Sequence, residues 1–356
     1  MILKEIFQDR ISQSAGKKSG GFNNWNCYKK EEGKMTKLEQ MLEQGASVVI
    51  LGHINPDGDC MGSCLAMYNY VKKRNPEAYV QLYMKAFPKK FSYLRGFDQI
   101  QTEMQAEEPF DLCICLDCSD KERLGEFVGY LDLAKRSLCI DHHITNTGYA
   151  EENVVDSQAS STSEVLYGQL LEQLIDQDIA ACLYTGIIHD SGVFRFSSTS
   201  ARTMEIAGKL METGIDFTKI IDDSFFKKTY LQSQILGRAL MESIRFLDGK
   251  CIFSVVKRQD MEFYGVEPKD LDGIVDQLRT IEGIECAIFI YELDNHIYKV
   301  SMRSNYVVDV SKIASYFGGG GHVRAAGCTM SGSIHDVVNN LSEHIEKQLV
   351  SESKDD

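Results

Sequence analysis

The chain has 356 residues, a length typical of two domains, and its 43% hydrophobic and 25% charged residues exclude collagen-like, mucin-like and wholly disordered proteins. Its formal net charge of −14, from 38 basic and 52 acidic residues, argues against a protein that follows a long nucleic acid, although a local basic pocket for one or two phosphates is compatible with it. The sequence has neither an apolar run of the roughly 20 residues that a membrane helix needs nor the apolar core of a secretory signal, so we expect a cytoplasmic protein without membrane contact.

Residues 1–34 are rich in Ser, Gly, Asn and Lys and show little apolar periodicity, which predicts a flexible N-terminal extension. From residue 35 onward, apolar segments of strand length alternate with segments of helical periodicity. This alternation predicts an α/β domain over 35–215, with a doubly wound, mainly parallel sheet covered by helices on both faces. The predicted strands lie at 47–52, 78–84, 111–117 and 137–141, and the predicted helices lie at 38–44, 62–73, 161–176, 178–189 and 201–213.

The pattern changes in the last part of the chain. A polar helical linker is predicted over 216–240, followed by a smaller α+β domain over 241–350 and a disordered tail over 351–356. The predicted elements of this domain are hairpins at 244–256 and 286–304, with turns at Asp248-Gly249 and Asp294-Asn295, and helices near 268–280, 309–317 and 333–349.

The chain contains 11 cysteines, of which Cys115 and Cys118 form a single C-x-x-C pair. A structural zinc site needs a second pair at suitable spacing, and none follows. We therefore expect the thiols to be small, buried, hydrophobic side chains.

The first candidate site follows the predicted strand at 47–52, where His53, Asp57 and Asp59 lie close together around Pro56 and Gly58. Sites in open α/β sheets form at the carboxyl ends of strands, and imidazole and carboxylate groups at this spacing could hold a divalent cation. The alternative is a polar loop with an Asp-Gly turn and a helix cap.

Two further strands end in ionisable residues. Asp117 ends an apolar strand, where a carboxylate is costly unless it faces a polar site; the alternative is a turn residue that caps the next segment. Asp141, His142 and His143 end another apolar strand. Adjacent histidines point in different directions, so one can bind a metal while the other faces a substrate, and Asp141 could fix an imidazole tautomer.

The fourth candidate segment is the end of an apolar helix, where Asp190 precedes the Ser191-Gly192 turn and Arg195 follows. The alternative is an ordinary helix terminus with an acidic turn. His189 could be an additional ligand, although packing or solvent contact is the favoured interpretation.

The four segments together place several carboxylates at strand and helix ends, where they would repel one another without cations. Such a set suits a pair of divalent metals that clamp a phosphate, with manganese as the expected metal and magnesium, cobalt or iron as alternatives. The candidate ligands are His53, Asp57, Asp59, Asp117, His142 or His143, and Asp190.

A run of four glycines in the predicted C-terminal domain forms a second kind of candidate site. Consecutive glycines let the backbone approach a ligand and turn its N–H groups toward an anion. His322 and Arg324 follow the run, and Arg303 precedes it at the end of a predicted strand, where its planar guanidinium could bind phosphate. The alternative is a flexible glycine linker.

Taken in this order, these residues resemble the DHH phosphoesterase superfamily. The N-terminal match covers H-x-x-P-D-G-D-x-x-G-S from His53, the strand-end Asp117, Asp-His-His at 141–143 and Asp-Ser-Gly from Asp190. The C-terminal match, R-S followed by D-V-S-x-I-A-x-x-F-G-G-G-G-H-x-x-A-A-G up to Gly327, resembles the DHH-associated domain. The resemblance covers roughly 36–349, and its extent points to the stand-alone nanoRNase/pAp phosphatase group.

The resemblance implies a dinuclear manganese site in a cleft between the two domains. It implies that His53 and Asp57 hold one metal, that Asp117 bridges, and that His143 contacts the reacting phosphate or orients its water. It implies that the other metal is held or shared by Asp59, His142 and Asp190. The implied substrate-binding residues are Arg303, Ser304, Gly319, Gly320, Gly321, His322, Arg324 and Arg195.

By this resemblance, the protein is expected to hydrolyse short oligoribonucleotides such as pApA to mononucleotides and 3′-phosphoadenosine 5′-phosphate (pAp) to AMP. The alternative with the same metal site is a soluble cyclic di-AMP phosphodiesterase. A third hypothesis is a non-catalytic nucleotide-binding module, whose expected sign is the loss of a metal ligand; every expected ligand is present. The resemblance also suggests a homodimer.

Overall fold

The computed structural model describes residues 35–43, 47–105 and 109–352, so the predicted extension over 1–34 and the last four residues of the predicted tail lie outside the described residues. The chain divides after Lys227 into two compact units, each with its own hydrophobic core, and this division falls within the predicted linker. Among the described residues, none of the helices is both long and apolar enough to cross a membrane.

The described part of the first unit contains a six-stranded, all-parallel sheet with the strand order β3-β2-β1-β4-β5-β6. Its strands are β1 (Ser47–Leu51), β2 (Tyr79–Tyr83), β3 (Ile100–Gln101), β4 (Leu112–Leu116), β5 (Ser137–Asp141) and β6 (Glu152–Val155). The four predicted strands are present, whereas β3 and β6 were not predicted. Both are short edge strands without the continuous apolar run that identifies a buried strand.

Helices cover both faces of this sheet, as predicted. The first unit contains α1 (Lys37–Leu42), α2 (Gly58–Arg74), α3 (Val128–Leu133), α4 (Thr162–Gln169), α5 (Gln177–Asp190), α6 (Ala201–Glu212) and α7 (Phe217–Ile221). Alternate residues of the central strands are buried in two different clusters, with Val48 and Ile50 on one face and Val49 and Leu51 on the other. Burial on both faces explains why these strands are continuously apolar.

The single helix predicted over 161–176 is wrong. The structure has α4, which ends at Gln169, and a separate 3-10 turn at Glu172–Leu174. Leu170 adopts an extended backbone conformation, and the N–H of Leu171 donates to the Tyr70 hydroxyl at 3.0 Å instead of continuing the helix. Apolar periodicity could not reveal this contact because Tyr70 is a hundred residues away along the chain.

Two glycines allow α2 and α5 to pack closely against each other. A Cβ atom on Gly62 would lie 2.5 Å from the Cys182 carbonyl oxygen and 2.7 Å from the Gly186 nitrogen, so the helix backbones are nearly in contact there. The first turn of α2 carries Asp59, and α5 ends at Asp190. This packing therefore fixes the distance between two of the candidate ligands.

The second unit contains, within its described residues, a six-stranded mixed sheet with the order β11-β12-β10-β9-β8-β7. The strands are β7 (Ile244–Phe246), β8 (Cys251–Val256), β9 (Cys286–Asp294), β10 (Ile297–Ser304), β11 (Gly320–His322) and β12 (Ala325–Ser331). Both predicted hairpins are present. The second turns at Asn295-His296, one residue later than predicted, because β9 continues through Asp294 and His296 adopts the left-handed conformation with φ of 57°.

The helices of the second unit are α8 (Tyr230–Met241), α9 (Arg258–Tyr264), α10 (Ile274–Arg279), α11 (Val310–Tyr316) and α12 (Ile334–Glu352). Helix α9 was not predicted, and α12 continues into the first two residues of the predicted tail. The predicted helix at 268–280 is instead a 3-10 turn and α10, separated by Gly273 with φ of 80°. The α+β character of this unit agrees with the predicted fold class.

Candidate metal centre

Strands β1 and β4 are neighbours in the sheet. From β1 the chain continues to β2 on one side of this pair, and from β4 it continues to β5 on the other side. Parallel sheets of this order form their sites at the carboxyl ends of the strands where the order reverses. His53 follows β1 and Asp117 follows β4 directly. The strand order therefore brings these two predicted site residues to one point.

His53 is 4% exposed, and its Nδ1–H donates to the Ile54 carbonyl oxygen at 2.8 Å. Its Nε2 atom lies 3.5 Å from Asp117 Oδ2 and 3.9 Å from Asp57 Oδ1. Because the Ile54 contact fixes Nδ1 as the donor, Nε2 is the ring atom that faces the carboxylates.

Asp117 lies at the centre of the cluster. Its backbone is left-handed, with φ of 58°, a conformation that is uncommon outside glycine. Its Oδ1 atom accepts a hydrogen bond from the Thr162 hydroxyl at 2.9 Å and lies 3.7 Å from both His142 Nε2 and His143 Nδ1. A strained backbone at a buried carboxylate is typical of functional sites.

Asp59 is fully buried and is held by the start of α4. It accepts hydrogen bonds from the Thr162 N–H at 2.6 Å, the Ser163 N–H at 3.0 Å and the Ser163 hydroxyl at 2.6 Å. Burial raises the pKa of Asp59 well above its usual range, and the nearby charges of Asp117 and Asp190 raise it further. Positive charge from a bound cation would relieve this repulsion.

Asp57 caps α2, and its Oδ1 atom accepts the N–H groups of Asp59 and Cys60, each at 3.1 Å. Its side chain is 60% exposed, in contrast to the buried carboxylates around it. The cap that the sequence offered as the alternative to a metal ligand is therefore present, and the carboxylate also lies within reach of His53.

In the Asp-His-His segment, Asp141 holds both of the histidines that follow it. The fully buried Asp141 accepts hydrogen bonds through Oδ1 from the His142 N–H at 2.8 Å and from His143 Nδ1 at 2.7 Å, while its Oδ2 accepts from Asn146 at 2.7 Å. Burial alone would raise the pKa of Asp141, but the His143 hydrogen bond holds it below its usual value. The contact with Asp141 makes His143 Nδ1 the hydrogen-bond donor and thereby determines the tautomer and orientation of this ring.

His142 joins the Asp-His-His segment to the end of α5. Its Nε2 atom lies 3.1 Å from Asp190 Oδ2. Burial lowers the pKa of His142, but the Asp190 hydrogen bond and the charges of Asp59, Asp190 and Asp117 raise it to about 10. Burial raises the pKa of Asp190 to about 6, against the lowering effect of the His142 hydrogen bond.

Among the described residues, three groups of side chains place their ligand atoms within 4.8 Å of one another. Asp117 belongs to two of the groups and His142 to two, so the three groups form one continuous cluster, which we call the metal centre. Mixed carboxylate and imidazole ligands suit divalent metals of the manganese, iron, cobalt and zinc series. The groups are His53–Cys60–Asp117, Asp117–His142–His143 and Asp59–His142–Asp190.

His189 belongs to none of these three groups, although its ring packs against Gly58 between Asp57 and Asp59. Its ring contacts Phe91 and Phe225 edge-on, and its Nε2 atom lies 3.1 Å from the Ser224 hydroxyl. Burial lowers the pKa of His189 to about 3. Arg195 is exposed on the loop after α5.

The predicted substrate-binding residues of the second unit lie around β10, β11 and β12. Arg303 donates through Nε to Asp276 Oδ1 at 3.0 Å and through Nη1 to the Met302 carbonyl at 3.1 Å. Ser304 is 2% exposed, and its hydroxyl has no hydrogen-bond partner among the described residues. Arg324 donates to the carbonyl oxygens of Tyr306 and Val308, so it anchors the loop after β10.

The glycine run forms part of a tight β-hairpin. A Cβ on Gly321, whose φ is 143°, would lie 2.5 Å from the Ala325 carbonyl oxygen, and Gly319 has equally little space beside Gly327. The N–H groups of Gly318 and Gly319 donate to the carbonyls of α11 residues. Gly320 and Gly321 are in turn paired with Gly327 and Ala326 of β12. The anion site predicted at the glycine run stays a prediction.

Sequence reasoning missed the hydroxyl residues of α4. Thr162 and Ser163 hold Asp117 and Asp59, and Ser161 caps the helix by accepting the Glu164 N–H. The available signal was the run Ser160-Ser161-Thr162-Ser163-Glu164, which is unusually rich in hydroxyl groups for a buried helix start. Cys60 was also missed as a possible ligand, because it was counted among the structural thiols.

Comparison with known proteins gives two domain matches. The profile described as "DHH family, N-terminal domain" matches residues 47–187, and the profile described as "DHHA1 domain" matches residues 248–351. Five of the six candidate metal ligands lie within the first match, and the sixth, Asp190, lies just after it. The glycine run lies within the second match.

Two relatives match most of the chain. The chain is 29% identical over 326 residues to the bifunctional oligoribonuclease and PAP phosphatase NrnA of Thermus thermophilus, and the match covers 89% of this chain and 94% of that protein. The corresponding protein of Bacillus subtilis is 26% identical over 300 residues, covering 83% and 93%. The crystal structure of an exopolyphosphatase-related protein from Bacteroides fragilis shares the fold, with a TM-score of 0.81 at 23% identity over 87% of this chain and 94% of that one.

Proposed function

We propose that this chain, which carries a DHH-family N-terminal domain at 47–187 and a DHHA1 domain at 248–351, hydrolyses short oligoribonucleotides to mononucleotides and pAp to AMP. That it is a hydrolase of phosphate esters follows from the family and from relatives named as oligoribonucleases and PAP phosphatases. The substrates named for those relatives are the basis for this choice of substrate.

The observation that carries the proposal is the convergence of imidazole and carboxylate groups on Asp117 at the carboxyl edge of the sheet. Two divalent ions, with manganese as the proposed metal, would supply the charge that stabilises the attacked phosphate and activates water. His53, Asp57 and Asp117 would hold one ion, and Asp59, His142 and Asp190 would hold the other, with Asp117 shared.

The other residues of the centre orient groups and hold protons. Asp141 accepts a hydrogen bond from His143 Nδ1, and the proposed role of the His143 ring is to contact the reacting phosphate or to orient its water. The proposed role of Arg303 is to bind a terminal phosphate of the substrate through its guanidinium, supported by Ser304 and the Gly320–Gly321 backbone. Recognition of a terminal phosphate would favour short substrates, in agreement with the acidic net charge.

The test is a hydrolysis panel in manganese, with pAp, pApA, an RNA pentamer, a long RNA and cyclic di-AMP, each with a chelator control. We expect pAp and the short linear RNAs to be converted to mononucleotides while long RNA and cyclic di-AMP persist. Faster consumption of cyclic di-AMP would instead assign a second-messenger phosphodiesterase.

A matched pair of variants tests the site. Asp117→Asn removes the central carboxylate charge, and Asp120→Asn makes the same change at a carboxylate that only caps a nearby turn through Ser119 and Arg123. Turnover is expected to fall by a factor of about 10³ or more in Asp117→Asn and to change little in Asp120→Asn. Equal turnover by the two variants would refute the assignment of the metal centre.

A further inference from the structure

Cys60 is a member of the metal centre that the family assignment leaves without a role. It lies in the first turn of α2, it is fully buried, and its sulfur forms a compact group with the ring of His53 and the carboxylate of Asp117. The three ligand atoms lie within 4.8 Å of one another, which is the spread of donors around one metal ion with bonds of about 2.0–2.3 Å.

The Cys60 sulfur packs against the backbone of Gly52, directly after β1. A Cβ atom on Gly52 would lie 2.6 Å from Cys60 Sγ, so the sulfur rests directly against the backbone of the residue before His53. Any larger residue at position 52 would displace it. The position of the thiol beside the imidazole is therefore imposed by local packing.

The three members of this group are also more enclosed than the predicted ligand Asp57. His53, Cys60 and Asp117 are each at least 96% buried, whereas the Asp57 side chain is 60% exposed and its Oδ1 atom already accepts two N–H groups as a helix cap. The buried group of His53, Cys60 and Asp117 thus offers a metal ion one nitrogen, one sulfur and one oxygen donor.

We propose that Cys60 is a thiolate ligand of the metal ion held by His53 and Asp117, and that it raises the affinity of this position for thiophilic divalent ions such as cobalt, zinc and cadmium. Soft thiolate ligands favour these metals, whereas oxygen ligands favour manganese and magnesium. On binding, the sulfur–metal bond forms as the S–H bond is lost, one proton passes to solvent, and no atom changes its oxidation state.

This inference rests on the proposed function in one respect only, namely that the metal centre binds divalent ions. Its test is therefore a spectroscopic measurement that does not need turnover. The probe is Co²⁺ added to the metal-free full chain, in which a cobalt–thiolate bond produces a near-ultraviolet sulfur-to-metal charge-transfer band. Cys27 lies outside the described residues, so all proteins carry Cys27→Ser.

The matched variants are Cys60→Ser and Cys64→Ser. Cys64 is one helical turn farther along α2, is equally buried, and belongs to none of the three ligand groups found among the described residues. We expect the charge-transfer band in the parent protein and in Cys64→Ser, and its loss in Cys60→Ser. The affinity for cadmium is expected to fall about tenfold or more in Cys60→Ser, with a smaller loss for manganese.

The proposal is overturned if stoichiometric cobalt binds without the band, or if the band survives in Cys60→Ser. If Cys60→Ser does not fold, X-ray absorption of the cobalt-loaded parent protein decides, because a sulfur neighbour at about 2.3 Å is required. A protein that shows the band but hydrolyses none of the panel substrates would refute the proposed function and leave this inference standing. A protein that hydrolyses the panel substrates but binds cobalt without the band would refute this inference and leave the proposed function standing.

Discussion

Hydroxyl groups at the start of α4 hold two carboxylates of the metal centre in place. The Thr162 hydroxyl donates to Asp117 at 2.9 Å and lies 3.4 Å from Asp141, while Ser163 holds Asp59. Partners that orient metal ligands through hydrogen bonds typically change metal affinity by roughly 10–100-fold when they are removed. The start of α4 therefore belongs to the centre although it supplies none of the proposed ligands.

Thr162→Val tests this role, because valine keeps the shape of threonine and removes the hydroxyl. We expect the affinity for manganese, measured by titration calorimetry, to fall by roughly 10–100-fold, and Thr162→Ser to restore most of it. The control is Thr185→Val, which removes a buried hydroxyl that bonds to Ala181 and Tyr93 outside the centre. Unchanged affinity in Thr162→Val would contradict the role.

Metal binding is expected to depend on pH through His142. Its pKa of about 10 keeps the metal-free imidazole protonated at neutral pH, and a metal requires the neutral ring, so binding releases a proton. The proton released by His142 should therefore contribute a rise in affinity of up to about tenfold per pH unit between pH 7 and 9. Below about pH 6 the dependence should steepen, because Asp190 also takes up a proton.

Calorimetry in two buffers of different ionisation enthalpy gives the number of protons released. His142→Gln is expected to remove one of them at neutral pH. An affinity that stays constant from pH 7 to 9 would be incompatible with a protonated His142 in the metal-free protein.

At the scale of elements, the centre is assembled by the ends of helices and strands. His53 follows β1, Asp117 follows β4, and the Asp-His-His segment begins at the end of β5. Asp59 lies in the first turn of α2, and α5 ends with Asp190. The contact of α2 with α5 at Gly62 and Gly186 sets the spacing between the two helices. A Cβ on Gly186 would also collide with the Ser163 hydroxyl and lie 2.5 Å from Asp59 Oδ1, so this contact borders the centre itself.

Gly62→Ala is expected to lower the free energy of unfolding by about 1–3 kcal/mol, because the added methyl group has no space between the helices. Gly208→Ala is the matched control, since Gly208 lies within α6 and a Cβ there would meet no atom within 4 Å. That control should be neutral or up to about 1 kcal/mol more stable, from helix propensity alone. Denaturant unfolding of the metal-free proteins measures both, and equal stability of the two variants would refute the close-packing argument.

At the scale of the whole molecule, the two units hold different sets of candidate site residues. The metal centre lies entirely in the first unit, and Arg303 with the glycine hairpin lies in the second. Each unit has its own core, so a change in one is expected to leave the local geometry of the other intact. Binding of the metal and binding of the substrate phosphate should therefore be separable by mutation.

Arg303→Gln is expected to raise KM for pAp by roughly 10–100-fold, from the loss of a charge-assisted hydrogen bond to phosphate, with no change in manganese affinity. Arg258→Gln removes an exposed arginine that pairs with Glu262 and serves as the control. Steady-state kinetics and calorimetry together test the separation. A loss of metal affinity in Arg303→Gln, or an unchanged KM, would argue against the proposed role.

Much of the fold and of the candidate site could be predicted because the relevant patterns are local. Apolar runs identified the four inner strands of the first unit, and the position of ionisable residues directly after those runs singled out His53, Asp117 and His142. The edge strands β3 and β6 and the separation of α4 from the turn at Glu172–Leu174 escaped prediction. Short or exposed segments carry little periodic signal.

By itself, the amino-acid sequence determined the fold class and the strand and helix ends at which the candidate ligands lie, since both follow from periodicity and order along the chain. Only the tertiary structure decided which atoms meet. It placed the Thr162 hydroxyl on Asp117, turned Asp141 toward His143, and brought the Cys60 sulfur beside His53. These contacts join segments far apart in the chain or depend on how a backbone turns, and packing between helices and sheet sets them to within a fraction of an ångström.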